Sequence, residues 1–302
     1  MTITQDYIIE RKQNKFRLRL WKMLTILMLI VLLVVVSKKF QEPTEHLSSS
    51  DYIASVLIED IIFEDTKRDE RLKKIIDDGQ IKALILNVNS PGGTVVGSEK
   101  IYNILRKISA KKPVVVVMGT LAASGGYLIS LGGDYIVSHN GTITGSIGVI
   151  FQNLEVTDLA KTLGITFENF KSGELKAAPN PTEKVTEAVR GAIMSNVYDT
   201  YEYFIELVSL RRNMPIEEVR KIADGRIYSG RQALKLKLVD AVGSEDEAIK
   251  WLQEVRKIDP TLEVKEFRIK PKPKFLDMMM EDFGSVMPGF LTNKLQGLKV
   301  IF

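Results

Sequence analysis

Short apolar runs alternate with amphipathic stretches from Ile53 to Val208, and this rhythm confines the chain to an α/β fold with a largely parallel sheet. Ile53 to Ile58 reads as a strand. Leu72, Ile75 and Ile76 give the next stretch one apolar helical face. Ala83 to Val88 is a compact run of the kind expected for a strand covered on both sides. Ile101, Ile104, Leu105 and Ile108 follow helical spacing. Pro113 opens a strand from Val114 to Met118, a helix is expected near Ser124, and Tyr135 to Val137 reads as a further strand. Val185, Val189, Ile193 and Val197, continued by Phe204, Ile205 and Val208, mark a long amphipathic helix whose stripe is expected to pack in the core.

The N-terminal region follows another logic. Trp21 to Ser37 reads WKMLTILMLIVLLVVVS, and Met23 to Val36 is apolar except for Thr25. That length is near the lower limit for a spanning helix, with Trp21, Lys22, Lys38 and Lys39 placed for the interfaces. No small-x-small cleavage pattern follows, which argues against a removed signal peptide. Residues 1–22 carry six basic and two acidic side chains and so account for the whole net charge of +4. The positive-inside rule therefore places the N-terminus in the cytoplasm and the remainder outside it. Because the rest sums to neutral, overall charge gives no hint of a basic face for nucleic acid. The layout read from the sequence is a basic tail (1–20), a transmembrane helix (21–37), a polar stalk (38–50), a globular domain (51–258) and a C-terminal tail (259–302) containing the spacer KPKPK.

The chain has no cysteine and two histidines, His46 and His139. Disulfides, thiolate metal sites, a cysteine nucleophile and a three-histidine metal site are thereby excluded.

Three glycine-containing loops stand out: NSPGG (Asn89 to Gly93), AASGG (Ala122 to Gly126) and TGSIG (Thr144 to Gly148). The first two directly follow predicted strands, where α/β sheets collect their binding sites. Ser124 would sit at a helix N-terminus, whose backbone N–H groups lack intrahelical partners. The N–H groups of Gly125 and Gly93 could then face a developing oxyanion, and losing one such donor typically costs about 3–4 kcal/mol of transition-state stabilisation. Each loop alone could equally be a tight turn or a helix cap.

A serine hydroxyl needs a base. His46 lies in the stalk and His139 in a turn-like SHNG. A lysine can serve when burial keeps its amine neutral. Lys176 lies in GELKAAPNP, between Leu175 and the small Ala177 and Ala178, with Pro179 beyond. Composition alone does not distinguish it from a solvated lysine.

The loops, their order and the text between them resemble the signal peptide peptidase A family of bacterial membrane serine peptidases. The similarity runs from about Lys74 to Leu252 through LILNVNSPGG, AASGGYLIS, TGSIGVI, KSGELKAAPNP, IADGRIYSGRQA and LKLVDAVG. It implies a Clp protease/crotonase fold of repeated ββα units. By the same resemblance Ser124 matches the nucleophile, Lys176 the general base, Ser146 the serine that orients that lysine, and Gly93 and Gly125 the oxyanion-hole donors. The implied activity is endopeptidase cleavage of signal peptides left in the membrane, and of other hydrophobic or unfolded peptides, with no cofactor and no metal. The implied assembly is a homo-oligomeric ring in the bacterial inner membrane, with Ser and Lys supplied by neighbouring subunits. Glu59 and Asp60 depart from the pattern, standing where a small or glycine-rich turn is expected, and KAA stands where KSA is common. Two other readings share the fold: a crotonase-type enzyme acting on an acyl thioester, and a non-catalytic scaffold for hydrophobic peptides.

Overall fold

The computed structural model describes residues 15–30 and 50–269. The chain divides into two units, Met1–Ser50 and Asp51–Phe302. In the first, residues 15–30 form helix α1. The expected span Trp21 to Ser37 continues past α1 into residues outside the described part. So do the start of the basic tail, the stalk with His46, the KPKPK spacer and the tail beyond it. Among the described residues no helix is long and apolar enough to cross a membrane.

The second unit is a mixed α/β fold around one sheet. Its strands are β1 (Tyr52–Glu59), β2 (Ile81–Ser90), β3 (Val114–Ala123), β4 (Tyr135–Ser138), β5 (Ile143–Gly145), β6 (Ile227–Ser229), β7 (Ala241–Val242) and β8 (Val264–Glu266). Its helices are α2 (Thr66–Asp77), α3 (Val95–Ser109), α4 (Gly125–Ser130), α5 (Thr157–Thr162), α6 (Glu187–Arg212), α7 (Ile216–Ile222), α8 (Gly230–Lys235) and α9 (Glu245–Glu254). The sheet runs β6-β5-β3-β2-β1-β8, with β4 pairing β3 and β7. The ladders are parallel except β5 against β6. Strand β8 pairs with β1 and so carries the sheet past Ile258, where the sequence reading ended the domain.

The period-2 geometry of strands sorts the side chains onto two faces. Ala54, Val56, Leu84, Leu86, Val114 and Val116 join the larger core beneath α2, α3, α4 and α6. Ile53, Ala83, Ile85, Val115, Val117 and Val137 meet Ala248 and Leu252 of α9 on the other side. A strand buried on both faces has few polar positions to alternate, which is why Ala83 to Val88 of β2, but for Asn87, and Val114 to Met118 of β3 read as apolar runs. Each such Val, Leu or Ile contributes about 1.5–3 kcal/mol on burial.

Helix starts follow local chemistry. The Asp65 carboxylate accepts from the amides of Lys67 and Arg68 at the start of α2, and the Thr94 hydroxyl accepts from Gly97 at the start of α3. Helix α6 matches its expected register, but apart from Val189 only its C-terminal half is buried. Phe204, Ile205 and Val208 are buried, whereas Ile193 and Val197 are half-buried and Tyr198 is exposed. The stripe read as core packing is thus only partly covered within one copy of the chain.

The backbone comes very close to itself where α8 begins. An ideal Cβ on Gly230 would lie 1.9 Å from the His139 carbonyl oxygen and 2.6 Å from Ser138 Oγ, while one on Gly191 in α6 would meet nothing within 4 Å. Gly230→Ala should therefore lower stability by about 2–3 kcal/mol through overpacking. Gly191→Ala should raise it by about 0.5–1 kcal/mol through lower unfolded-state entropy. Thermal melts followed by circular dichroism check both signs, and equal shifts for the two variants would refute this account.

Candidate active site

Strand β3 is longer than the apolar run that announces it, and the extra residues build the site. Its pairing with β2 slips: Val88 faces Met118 and Ser90 faces Ala122, so one residue on β2 spans the interval that three occupy on β3. The surplus forms a bulge. Asn89 Oδ1 accepts from the Leu121 amide at 3.1 Å, and the Thr142 hydroxyl donates to the Gly119 carbonyl at 2.7 Å. Before the bulge β3 pairs with β4; after it, Leu121, Ala122 and Ala123 pair with Ile143, Thr144 and Gly145 of β5. The second glycine-containing stretch is therefore strand up to Ala123, not loop.

Ser124 makes the whole strand-to-helix turn. Its φ of 53° and ψ of −121° lie in the positive-φ region that side chains other than glycine rarely adopt. Such a conformation costs on the order of 1–3 kcal/mol and persists only where the surroundings enforce it. Here they do. The Ser124 amide donates to the Gly145 carbonyl at 2.9 Å, and its carbonyl accepts from Leu128 at 2.9 Å to start α4. The hydroxyl makes no capping bond, and the residue is half-buried. This sharp turn places a serine at the carboxyl end of an interior strand, the placement a nucleophile requires.

The NSPGG loop closes over this turn. The Ser90 hydroxyl donates to the Asp60 carbonyl at 2.5 Å and accepts from the Gly92 amide at 3.1 Å. Ile62 and Thr94 bond across the loop through Ile62 N to Gly92 O and Thr94 N to Ile62 O, both at 2.8 Å. Contact with α4 leaves no room for side chains: an ideal Cβ on Gly92 would lie 2.6 Å from the Gly125 amide nitrogen, and one on Gly125 would lie 3.1 Å from the Gly93 amide nitrogen. The two amides are thus neighbours, and among the described residues neither has a backbone acceptor. Asp60 itself takes a φ of 63°. An aspartate tolerates this left-handed conformation better than most side chains, so it does here what a glycine was expected to do.

Ser124, Gly93 and Gly125 line one narrow cavity of about 30 Å³, together with Val95, Ser98, Leu128, Gly148, Val149, Thr200, Tyr203 and Phe204. Ser146 follows directly on Gly145, with φ 50° and its amide bonded to the Arg226 carbonyl at 2.8 Å. It is therefore held next to the turn at Ser124.

Lys176 is placed elsewhere. It sits exposed in a turn whose amide donates to the Gly173 carbonyl at 3.0 Å, and it is not among the residues lining the cavity. Its neighbour Glu174 accepts a hydrogen bond from the Thr186 hydroxyl at 3.1 Å. Glu183 ties the turn's base, meeting Lys171 and accepting from Asn180 Nδ2 at 3.1 Å. These bonds hold the Glu183 carboxyl below its ordinary pKa, Lys171 contributing most. The polypeptide around Lys176 is otherwise thinly covered: Leu154 is 70% and Phe170 94% exposed. One copy of the chain thus brings together the candidate nucleophile, both donors and Ser146, and leaves the candidate base apart.

Sequence reasoning did not single out Asn89, Ser90 or Ser98. The first two lie within the quoted NSPGG motif, and their side chains shape it. Ser98 falls inside a helical stripe where a small residue carries no signal.

The description Peptidase family S49 matches residues 106–259, and a second, Clp protease, matches residues 51–145. The first covers just over half of the chain. The chain belongs to peptidase family S49. It is a serine peptidase of the signal peptide peptidase A type. It is 37% identical to a candidate protease of Synechocystis sp. over 62% of this chain and 68% of that one. It is 40% identical to a candidate signal peptide peptidase of Enterococcus faecium over 62% of this chain and 55% of that one. The match thus spans between about half and two thirds of the length of these relatives. A mutant of the 1510-N membrane-bound stomatin-specific protease superposes with a TM-score of 0.47 at 18% identity, covering 72% of this chain and 98% of that one.

Gly92 has a φ of 106°, and a Cβ there would also come within 3.0 Å of Ser124 Cβ. Gly92→Ala should misplace the Gly125 amide and lower kcat at least about 100-fold, the range for losing one oxyanion donor. Peptide hydrolysis by the full-length chain reads this out. A variant that folds and keeps wild-type turnover would remove Gly125 from the site.

Proposed function

We propose that the chain is an endopeptidase working through an acyl-enzyme, with Ser124 as nucleophile and Lys176 as general base. The observation that carries the reading is the strained turn at Ser124, which sets an uncapped hydroxyl beside two amides without backbone acceptors. The neutral amine of Lys176 takes the Ser124 proton as Oγ bonds to the peptide carbonyl carbon. The carbonyl oxygen becomes negative facing the Gly93 and Gly125 N–H groups. As the tetrahedral centre collapses, the C–N bond breaks and the lysine returns the proton to the leaving amine. Water then attacks the ester, with the lysine again as base, and Ser124 is restored. Ser146, beside the turn, orients the amine.

The lysine comes from a second copy of the chain in a homo-oligomeric ring. Two features support this. Lys176 is apart from the cavity of its own copy, and its arm together with the N-terminal half of α6 carries apolar side chains that one copy does not cover. The substrates are hydrophobic peptides, signal-peptide remnants among them. The protein is anchored by Trp21 to Ser37 in the bacterial cytoplasmic membrane, with the catalytic unit outside. That reading rests on the apolar run and the basic residues before it.

Ser124→Ala and Lys176→Ala should each abolish cleavage of a fluorogenic peptide. Co-assembling the two inactive variants should restore part of the activity, because some sites then combine an intact Ser124 with an intact Lys176 from the other copy. Full activity in either single variant would end the dyad assignment, and no recovery on mixing would place both residues in one copy.

A further inference from the structure

One polar group at the site has no task in the chemistry above. Ser98, in the first turn of α3, is fully buried, and its hydroxyl has no hydrogen-bond partner among the described residues. Buried hydroxyls are nearly always paired, so an unpaired one calls for a reason. Packing does not supply it. The ideal Cβ of Gly125 would lie 2.4 Å from Ser98 Oγ, so α3 and α4 approach closely here, and alanine at position 98 would permit the same approach with no polar atom stranded. The second unpaired hydroxyl, that of Ser138, lies against Gly230 and lines no part of the cavity.

The position of Ser98 suggests what it meets. It lines the same cavity as Ser124, Gly93 and Gly125. A peptide whose carbonyl oxygen faces those amides must turn the side chain of that same residue into an adjoining space. The other side chains lining the cavity are Val95, Leu128, Val149, Phe204, Tyr203 and Thr200, whose hydroxyl is already donated to the Asn196 carbonyl at 3.0 Å. The space, about 30 Å³, admits a group little larger than a water molecule.

We propose that Ser98 is a specificity-determining residue: its hydroxyl forms the polar floor of the pocket for the residue whose carbonyl Ser124 attacks, and it selects a small hydroxyl-bearing side chain there. This rests on the peptidase reading of Ser124. A serine at that substrate position fills the space and exchanges a hydrogen bond with Ser98 Oγ, whereas alanine leaves Ser98 unpaired. A neutral hydrogen bond of this kind corresponds to a preference of about three- to tenfold in kcat/KM.

The test uses the full-length protein in detergent and fluorogenic peptides that differ only in serine or alanine at the scissile position, with a fluorophosphonate probe for Ser124. Wild type should favour the serine peptide about three- to tenfold. Ser98→Ala should bring the ratio close to one by slowing the serine peptide while sparing the alanine peptide, and Ser98→Cys should fall between. Equal rates for both peptides in wild type, or an unchanged ratio in Ser98→Ala, would overturn the role of Ser98 while probe labelling of Ser124 keeps the peptidase reading intact. So would an equal loss on both peptides, which would mark Ser98 as structural. Absence of both labelling and cleavage in wild type would remove the peptidase reading and this proposal with it.

Discussion

The hydrogen bond from the Ser124 amide to the Gly145 carbonyl fixes the geometry on which the site depends. A serine at positive φ would relax if it could, and relaxation would swing its hydroxyl away from the two glycine amides. The bond prevents this by tying the last turn of β3 to the end of β5. The helical bond from Leu128 to the Ser124 carbonyl locks the other side of the residue. Strain at one residue is thus held by a sheet ladder and a helix start, both resting on a core closed on two faces. Ser146 gains its place from the same bond, since it directly follows the accepting carbonyl.

Glycine works here through absence of bulk more than through flexibility. Gly93 and Gly125 lie where a Cβ would strike backbone or Ser98, and only Gly92 of these three combines a tight approach with a positive φ. Two loops without side chains can therefore bring their amides to one place. Asp60 shows the complementary solution, a polar residue carrying a left-handed turn that the Ser90 hydroxyl then secures.

Much of the architecture was legible because burial on both faces leaves the middle of β2 and of β3 almost wholly apolar, with Asn87 the one polar residue between Ala83 and Val88. The end of β3 was not, since Gly119, Thr120 and the alanines have the composition of a loop, and it takes the pairing of Leu121, Ala122 and Ala123 with β5 and of Ala122 with Ser90 of β2 to show strand there. The N-terminal half of α6 reads like core because an apolar stripe has the same spacing whether its cover comes from the same chain or from another surface. Of the residues proposed for the site, Ser124, Gly93 and Gly125 stood out in the sequence through glycine placement, and Ser146 only through the family resemblance. Lys176 has no local signature, as it is an exposed lysine in a turn. Ser98 was silent because its significance lies in a missing partner, which no sequence pattern encodes.

The bulge in β3 divides a single strand into two mechanically distinct lengths. The first is gripped by β4 and belongs to the framework; the second is gripped by β5 and ends at Ser124. The join between the two lengths is pinned, not slack: Asn89 Oδ1 holds the Leu121 amide and the Thr142 hydroxyl holds the Gly119 carbonyl. The end of β3 that carries Ser124 thus takes its register from β5 and not from β4.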